Sequence, residues 1–287
     1  MKQQRLGRTE LLVTPMAYAG VVSMNETPAT AAAFVDHAVA NGINYFDIAP
    51  SYGNAEEHTG PALRRHRDRI YLACKSSERS AIGMKRELLA SLRRLRTDYF
   101  DVYQLHALST QEDLDILFGE GGGMETIAWA RQEGLIRFVG CSLHSEEIGL
   151  EACRRYDFDT ILFPMNWALG LNCSWGRRIA EVCRASDKGL LAMKTLAWRL
   201  WREGEPRVYP KSWCRPIFDN DRLALLAMKY GFQMGAQILI PPGNFDSSNL
   251  MWKLLEEAQK PLTDEEFSYL RHEAGAVRDE MIFTPGI

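Results

Sequence analysis

"MKRELLASLRRLRTDYFDVYQLH", residues 84–106, holds one complete unit of a repeating plan. Met84, Leu88, Leu92 and Leu95 fall on one stripe and predict an amphipathic helix. Lys85, Arg86, Arg93 and Arg94 lie mostly off that stripe, as on a solvated helix face rather than a nucleic-acid site. After a short polar turn, "YFDVYQL" at 99–105 is apolar enough for a strand covered on both faces. The segment ends on His106, a polar group at the end of a buried strand.

The same pattern runs outward in both directions. Before it, "MAYAG" (16–20), "INYFD" (43–47) and "IYLAC" (70–74) read as strands. After it come "IRFVGC" (136–141), "TILFPM" (160–165), "GLLAMK" (189–194) and "GAQILI" (235–240). Strands alternating with helical stretches predict parallel βαβ units. Thr27 followed by Pro28 starts one of the helices and Gly42 ends it. Eight units in 287 residues predict a (β/α)8 TIM barrel. An open doubly wound sheet is the rival, but it calls for GxGxxG after an early strand, and "YAGVVSM" does not match. The glycine-rich "FGEGGGME" at 118–125 reads as a loop feeding a helix near Met124. "RLGRTELLVTP" at 5–15 resembles an N-terminal β-hairpin plugging the barrel floor. With no low-complexity linker, residues 1–287 are expected to form one domain. The segment 197–216 is too long and too aromatic for a plain connector.

Composition narrows the function classes. The chain is 46% hydrophobic and 25% charged, with net charge −3, so nothing favours a nucleic-acid partner. No apolar run reaches the roughly 18 residues of a membrane span, and the start lacks a signal-peptide pattern. Six scattered cysteines without a CxxC pair predict reduced thiols in a cytoplasmic protein, and no metal site.

In a barrel, chemistry gathers at the carboxyl ends of the strands. Asp47, Lys75 and His106 end three successive strands, and Tyr52 follows the first of them in the loop of "FDIAPSYGNAEE", residues 46–57. Each has an ordinary explanation alone: a helix cap, a snorkelling lysine, a core histidine, loop packing. Together they make chemical sense. An ammonium beside a phenol favours phenolate and is expected to lower its pKa, while a carboxylate keeps the lysine charged. Tyr52 then protonates an oxygen gaining negative charge, with His106 and Lys75 stabilising it. That chemistry suits carbonyl reduction, and a nicotinamide cofactor must supply the hydride.

The sequence resembles the aldo-keto reductase family. "RLGRT", "FDIAPSYGNAEE", "LACK", "ELLASLRRLRTDYFDVYQLH" and "EGLIRFVGCSLHS" carry the likeness from residue 5 to about 142. "ILFPMN", "GLLAMKTLA" and "QILIPPGN" keep the expected order beyond it. The resemblance implies a barrel with NADP(H) or NAD(H) bound across the strand ends, a small carbonyl substrate, and a catalytic tetrad of Asp47, Tyr52, Lys75 and His106. It implies cofactor contacts at Ser142, Met193 and Lys194, and at Gly243, Asn244 and Asp246 after the last strand. Where the family has an Asn and a Gln for the nicotinamide carboxamide, this chain has Leu143 and Leu162; nearby His144 and Asn166 are candidate substitutes, and Asn166 reads equally well as a satisfied strand-end amide. Met193 occupies the position of the tyrosine that stacks on the nicotinamide ring. Asp246, with no nearby arginine, disfavours a 2′-phosphate and leaves the choice of NAD or NADP open. Asn54 and Trp167 are expected in the substrate pocket wall. The basic and aromatic residues of 197–216 suit a cofactor clasp or substrate wall, or a solvated loop packed by its own aromatics.

Two other functions are compatible with these residues. One is a Schiff-base lyase using Lys75 or Lys194. The other is a nucleotide-binding sensor or accessory protein with little turnover. Neither the particular substrate nor the oligomeric state is written in the sequence.

Overall fold

Strand β1 (Gln4–Arg5) pairs antiparallel with β2 (Leu12–Val13), forming the expected hairpin. The computed structural model describes residues 2–283; Met1 and residues 284–287, part of the expected domain span, lie outside the described residues. The hairpin closes the amino-terminal end of the barrel. The Arg8 amide donates to the Asp187 carbonyl at 2.6 Å. Gly7 has φ +50°, and a Cβ there would stand 2.2 Å from the amide nitrogen of Gly189, so this close approach needs glycine. Leu6 and Val13 are fully buried beneath the barrel interior.

The barrel strands follow: β3 (Tyr18–Ala19), β4 (Tyr45–Asp47), β5 (Tyr71–Ser76), β6 (Phe100–Leu108), β7 (Ile136–Leu143), β8 (Thr160–Pro164) and β9 (Gly189–Met193). A small antiparallel pair, β10 (Ala197–Leu200) and β11 (Cys214–Pro216), precedes the last barrel strand, β12 (Ile238–Leu239). The eight barrel strands are parallel and neighbour one another in chain order from β3 to β9 and then β12. The ends meet: the Ala17 amide donates to the Leu239 carbonyl at 3.1 Å, and the Leu239 amide to the Pro15 carbonyl at 3.0 Å. The fold is a closed (β/α)8 barrel.

Ala17, Tyr45, Ala73, Val102, Leu162, Leu191 and Ile238 fill the interior. A second core lies between the sheet and its helices. The helix Ala81–Leu95 buries the stripe of Met84, Leu88, Leu92 and Leu95, each contributing about 1.5–3 kcal/mol by its removal from water. Thr27 caps the helix Pro28–Ala40 by accepting from the Thr30 amide, and Gly42 at φ +82° ends it. The glycine-rich stretch at 118–125 links two helices, Gln111–Phe118 and Gly123–Gln132.

The segment after β9 is a strap across the carboxyl-terminal mouth. Its root is the β10–β11 pair. Its far side is pinned by Lys211, whose Nζ donates to the Val22 carbonyl at 2.7 Å and to Glu26 Oε1 at 2.6 Å, next to β3. Arg199 and Arg215 both engage Glu205, and Arg202 engages Glu280. Most of the positive charge that suited a phosphate clasp is therefore neutralised within the protein.

Candidate active site

Strands β4, β5 and β6 lie side by side, with Asp47 opposite Ala73 and Lys75 opposite Gln104. This register brings the strand-end side chains together. Lys75 Nζ donates to Asp47 Oδ2 at 2.5 Å and to the Tyr52 hydroxyl at 3.2 Å. Lys75 is fully buried and Asp47 nearly so. Burial alone would push the lysine pKa down, but Asp47 and the Tyr52 oxygen override it and hold Lys75 above its ordinary value. The ammonium is a fixed charge.

Tyr52 departs from expectation. Burial raises its pKa more than Lys75 lowers it, and the phenol ends above the ordinary tyrosine value. At rest Tyr52 is therefore a protonated donor, not a ready phenolate.

His106 stands edge-on to the Tyr52 ring, with centroids 6.1 Å apart. Its position comes from an irregularity in β6. The register with β7 shifts between Leu105 and Leu108, and Ala107 has φ +55°. Such a bulge turns a side chain at a strand end. Burial, and then the Lys75 charge, push the imidazole pKa down to about 3, so the ring is neutral near pH 7.

One residue of this cluster is absent from the sequence reading. Gln104, fully buried, donates from Nε2 to Asp47 Oδ1 at 2.9 Å. It fixes the carboxylate oxygen that Lys75 does not use. The signal was available, because Gln104 is two residues before His106 and alternation puts both on the same strand face.

Asp47, Tyr52 and His106 open into a cavity of about 240 Å³ at the carboxyl end of the barrel. Ser142, His144, Met193, Lys194 and Gly243 also line it. So do Ser212 and Trp213 of the strap. The expected positions at Asn166, Trp167 and Asn54 lie elsewhere. Asn166 caps the helix Trp167–Cys173 by accepting from the Leu169 amide, and donates both amide hydrogens to the carbonyls of Lys194 and Ala197. No donor is left for a carboxamide. Trp167 is fully buried in the outer core, drawn there by the large apolar area it removes from water. Asn54 accepts from the Asn25 amide and ties two loops together instead of facing the cavity.

A nicotinamide dinucleotide suits what remains. Ser142, at the end of β7, is buried and lines the cavity. Ser212 Oγ, Asn244 Nδ2 and Ser247 Oγ are buried without a hydrogen-bond partner. Asn244 caps the helix Phe245–Ala258, whose amino terminus adds a positive dipole end suited to phosphate. Asp246 is exposed on the first turn of that helix. Among the described residues, no group of three or more His, Cys, Asp or Glu side chains is placed to hold a metal ion.

Comparison with known proteins gives the same picture. The model of the Aldo/keto reductase family matches residues 19–213. The oxidoreductase YqkF of Bacillus subtilis (strain 168) is 32% identical over 219 residues, 68% of each chain. A solved structure of a putative aldo-keto reductase from Pseudomonas aeruginosa superposes with TM-score 0.71 at 28% identity, over 90% of this chain and 95% of that one. An aldo-keto reductase from Klebsiella pneumoniae, solved in complex with NADPH, shares the fold with TM-score 0.70 at 22% identity, over 94% of each chain. The family model matches most of the barrel and the YqkF relative agrees with it: this chain belongs to the aldo/keto reductase family and is an NAD(P)(H)-dependent oxidoreductase.

Proposed function

We propose that this enzyme reduces a small aldehyde, ketone or sugar-derived carbonyl, or oxidises the corresponding alcohol, with Tyr52 as the general acid or base. The observation that carries the reading is the pair of bonds from Lys75 Nζ, one to Asp47 and one to the Tyr52 hydroxyl. The bound cofactor supplies or accepts the hydride. Neutral His106 donates an N–H to the carbonyl oxygen and orients it. Tyr52 gives its proton to that oxygen as negative charge develops. The ammonium of Lys75, locked by Asp47, stabilises the phenolate left behind. In the alcohol-oxidising direction the phenolate removes the hydroxyl proton.

Ser142, Met193 and Gly243 are read as cofactor contacts, with Asn244 and Ser247 donating to its phosphate or ribose oxygens. The carboxylate of Asp246 repels a 2′-phosphate, which favours NAD or only weak discrimination between NAD and NADP. We read residues 1–287 as one domain that acts on a small-molecule carbonyl substrate. All six cysteines are free, which fits the reducing cytoplasm. Among the described residues no helix is long and apolar enough to cross a membrane.

The test is turnover on a panel of small aldehydes and ketones with NADH and NADPH, run beside Tyr52→Phe. Reduction by the wild type that collapses in the variant is the expected result. Dinucleotide binding without turnover on the whole panel would replace this reading with the sensor.

A further inference from the structure

Among the described residues, Lys194 is a cation without a counter-ion, in the wall of the candidate catalytic cavity. It follows β9 directly, and its φ of +60° is one that lysine rarely adopts. Its flanks are aromatic: Nζ stands 5.0 Å from the Trp213 ring centroid and 5.7 Å from that of Phe283. Among the described residues no carboxylate forms an ion pair with it, whereas Lys75, Lys188, Lys211 and Lys229 each have one. Cys214 beside it is a neutral thiol, held by burial up at about 11. A desolvated ammonium without a partner is costly, and burial accordingly pulls the Lys194 pKa down. An incoming anion removes that cost.

The direction of the charge favours the substrate over the cofactor. Lys194 lines the same cavity as His106 and His144, and after burial its charge helps to hold both imidazole pKa values down. His144 is anchored beside the end of β6, its amide donating to the Leu108 carbonyl. Its ring, held by burial down at about 4, is neutral and offers an N–H. The unpartnered donors suited to the dinucleotide, Asn244 Nδ2 and Ser247 Oγ, belong to a different element, the start of the helix after β12.

We infer that Lys194, with His144 beside it, receives an anionic group on the carbonyl substrate, so that the preferred substrates are short carbonyl acids bearing a carboxylate or phosphate. This rests on the carbonyl reduction proposed above and names its substrate class. The cavity of about 240 Å³ must also take the nicotinamide, which leaves room for only a short chain between the carbonyl and the anion.

Two matched pairs test it: succinic semialdehyde against butanal, and glyceraldehyde phosphate against glyceraldehyde. The wild type is expected to favour at least one anionic member about 10- to 100-fold in kcat/KM, as for a hydrogen-bonded charge in a partly desolvated site. Lys194→Met is expected to collapse that ratio through KM, and Lys194→Arg to restore part of it. Which pair shows the preference separates carboxylate from phosphate. Titration of the cofactor-bound protein with succinate and with inorganic phosphate reads the same site without turnover. At least one is expected to bind wild type and to lose about 10-fold or more in Lys194→Met. If no aldehyde is reduced, the proposed function fails, while this titration still rules on Lys194. The inference is overturned by equal rates on charged and neutral members, by neither anion binding, or by Lys194→Met weakening NADPH binding while the ratio stands. A borohydride-trapped adduct on Lys194 would also overturn it, in favour of a Schiff-base lysine.

Discussion

Lys75 and Lys194 both follow from strand ends at the same mouth, and their surroundings treat them oppositely. Lys75 sits behind the cavity, fully buried, and bonds a carboxylate and a phenol. Lys194 sits in the cavity wall with aromatic rings for neighbours and, among the described residues, no carboxylate in ion-pair reach. Burial disfavours both charges, yet the net shift is upward for one and downward for the other. A buried cation whose partner is part of the fold is permanent machinery. One whose partner is missing is held ready for a ligand. The contrast also weakens the lyase reading at Lys75, since a nucleophilic lysine must be neutral and Asp47 keeps this one charged.

The paired side of this comparison is broken most severely at Tyr52. Tyr52→Phe removes the proton donor and keeps the ring, so carbonyl reduction is expected to fall about a hundred- to ten-thousand-fold. Single-turnover oxidation of bound NADPH reads the loss. Dinucleotide affinity is expected to persist. Asp47→Ala comes next. It leaves the Lys75 ammonium buried and unpaired and deprives Gln104 of its acceptor, at a cost of about 3–5 kcal/mol in urea unfolding. A loss below about 1 kcal/mol, the range of a surface ion pair, would mean that Asp47 does not hold the lysine.

The proton positions have their own signature. With the Tyr52 pKa above its ordinary value, the phenol stays protonated through neutral and mildly alkaline pH. Reduction is expected to be level there and to fall only at a pH more alkaline than an ordinary tyrosine would require. Alcohol oxidation, which needs phenolate, rises over the same interval. A reduction optimum centred near pH 6–7 would contradict the assignment. Stability carries the opposite limb. His106 and His144 are held down at about 3 and about 4, below the roughly 6.5 of an unfolded histidine. The unfolded chain therefore binds more protons as pH falls. The stability these neutral rings confer is complete above about pH 6.5 and is lost progressively on acidification through pH 4 and 3. Thermal melts across that interval check the sign.

Strand ends were legible in the sequence because apolar runs end where polar groups begin, and β4, β5 and β6 end on Asp47, just past Lys75 and just past His106 as the pattern implied. The cap at Thr27, the stop at Gly42 and the N-terminal hairpin are local chemistry and could be read as such. What escaped the sequence depends on contacts far along the chain. Asn166 looks like a free strand-end amide until the carbonyls of Lys194 and Ala197 arrive to take its hydrogens. Arg202 looks free until the distant Glu280 pairs with it, and Arg199 and Arg215 until the segment folds Glu205 between them. The balance at Tyr52 was misjudged for a related reason: an adjacent ammonium can be inferred from residue order, but the depth of burial that outweighs it cannot.

The smallest expected effect lies where the strap meets the barrel rim. Lys211 is partly exposed, and its Nζ joins Glu26 and the Val22 carbonyl beside β3. Its Cβ lies 3.1 Å from where a Cβ on Gly243 would be, so the strap passes directly over that cavity-lining glycine. On the proposed cofactor contacts, a dinucleotide held by Ser142 and the helix after Gly243 would pass under this crossing. Releasing the crossing frees its exit without removing any group that holds it. Lys211→Met therefore is expected to speed dinucleotide dissociation by a few-fold, in keeping with the roughly 0–1 kcal/mol of a partly exposed ion pair. Stopped-flow displacement of NADPH measures it, with the chemical step under single turnover left as control. Unchanged dissociation would mean that the strap opens at its β10–β11 root instead, and Glu205→Gln, which leaves Arg199 and Arg215 without their shared carboxylate, then becomes the variant expected to release the cofactor faster.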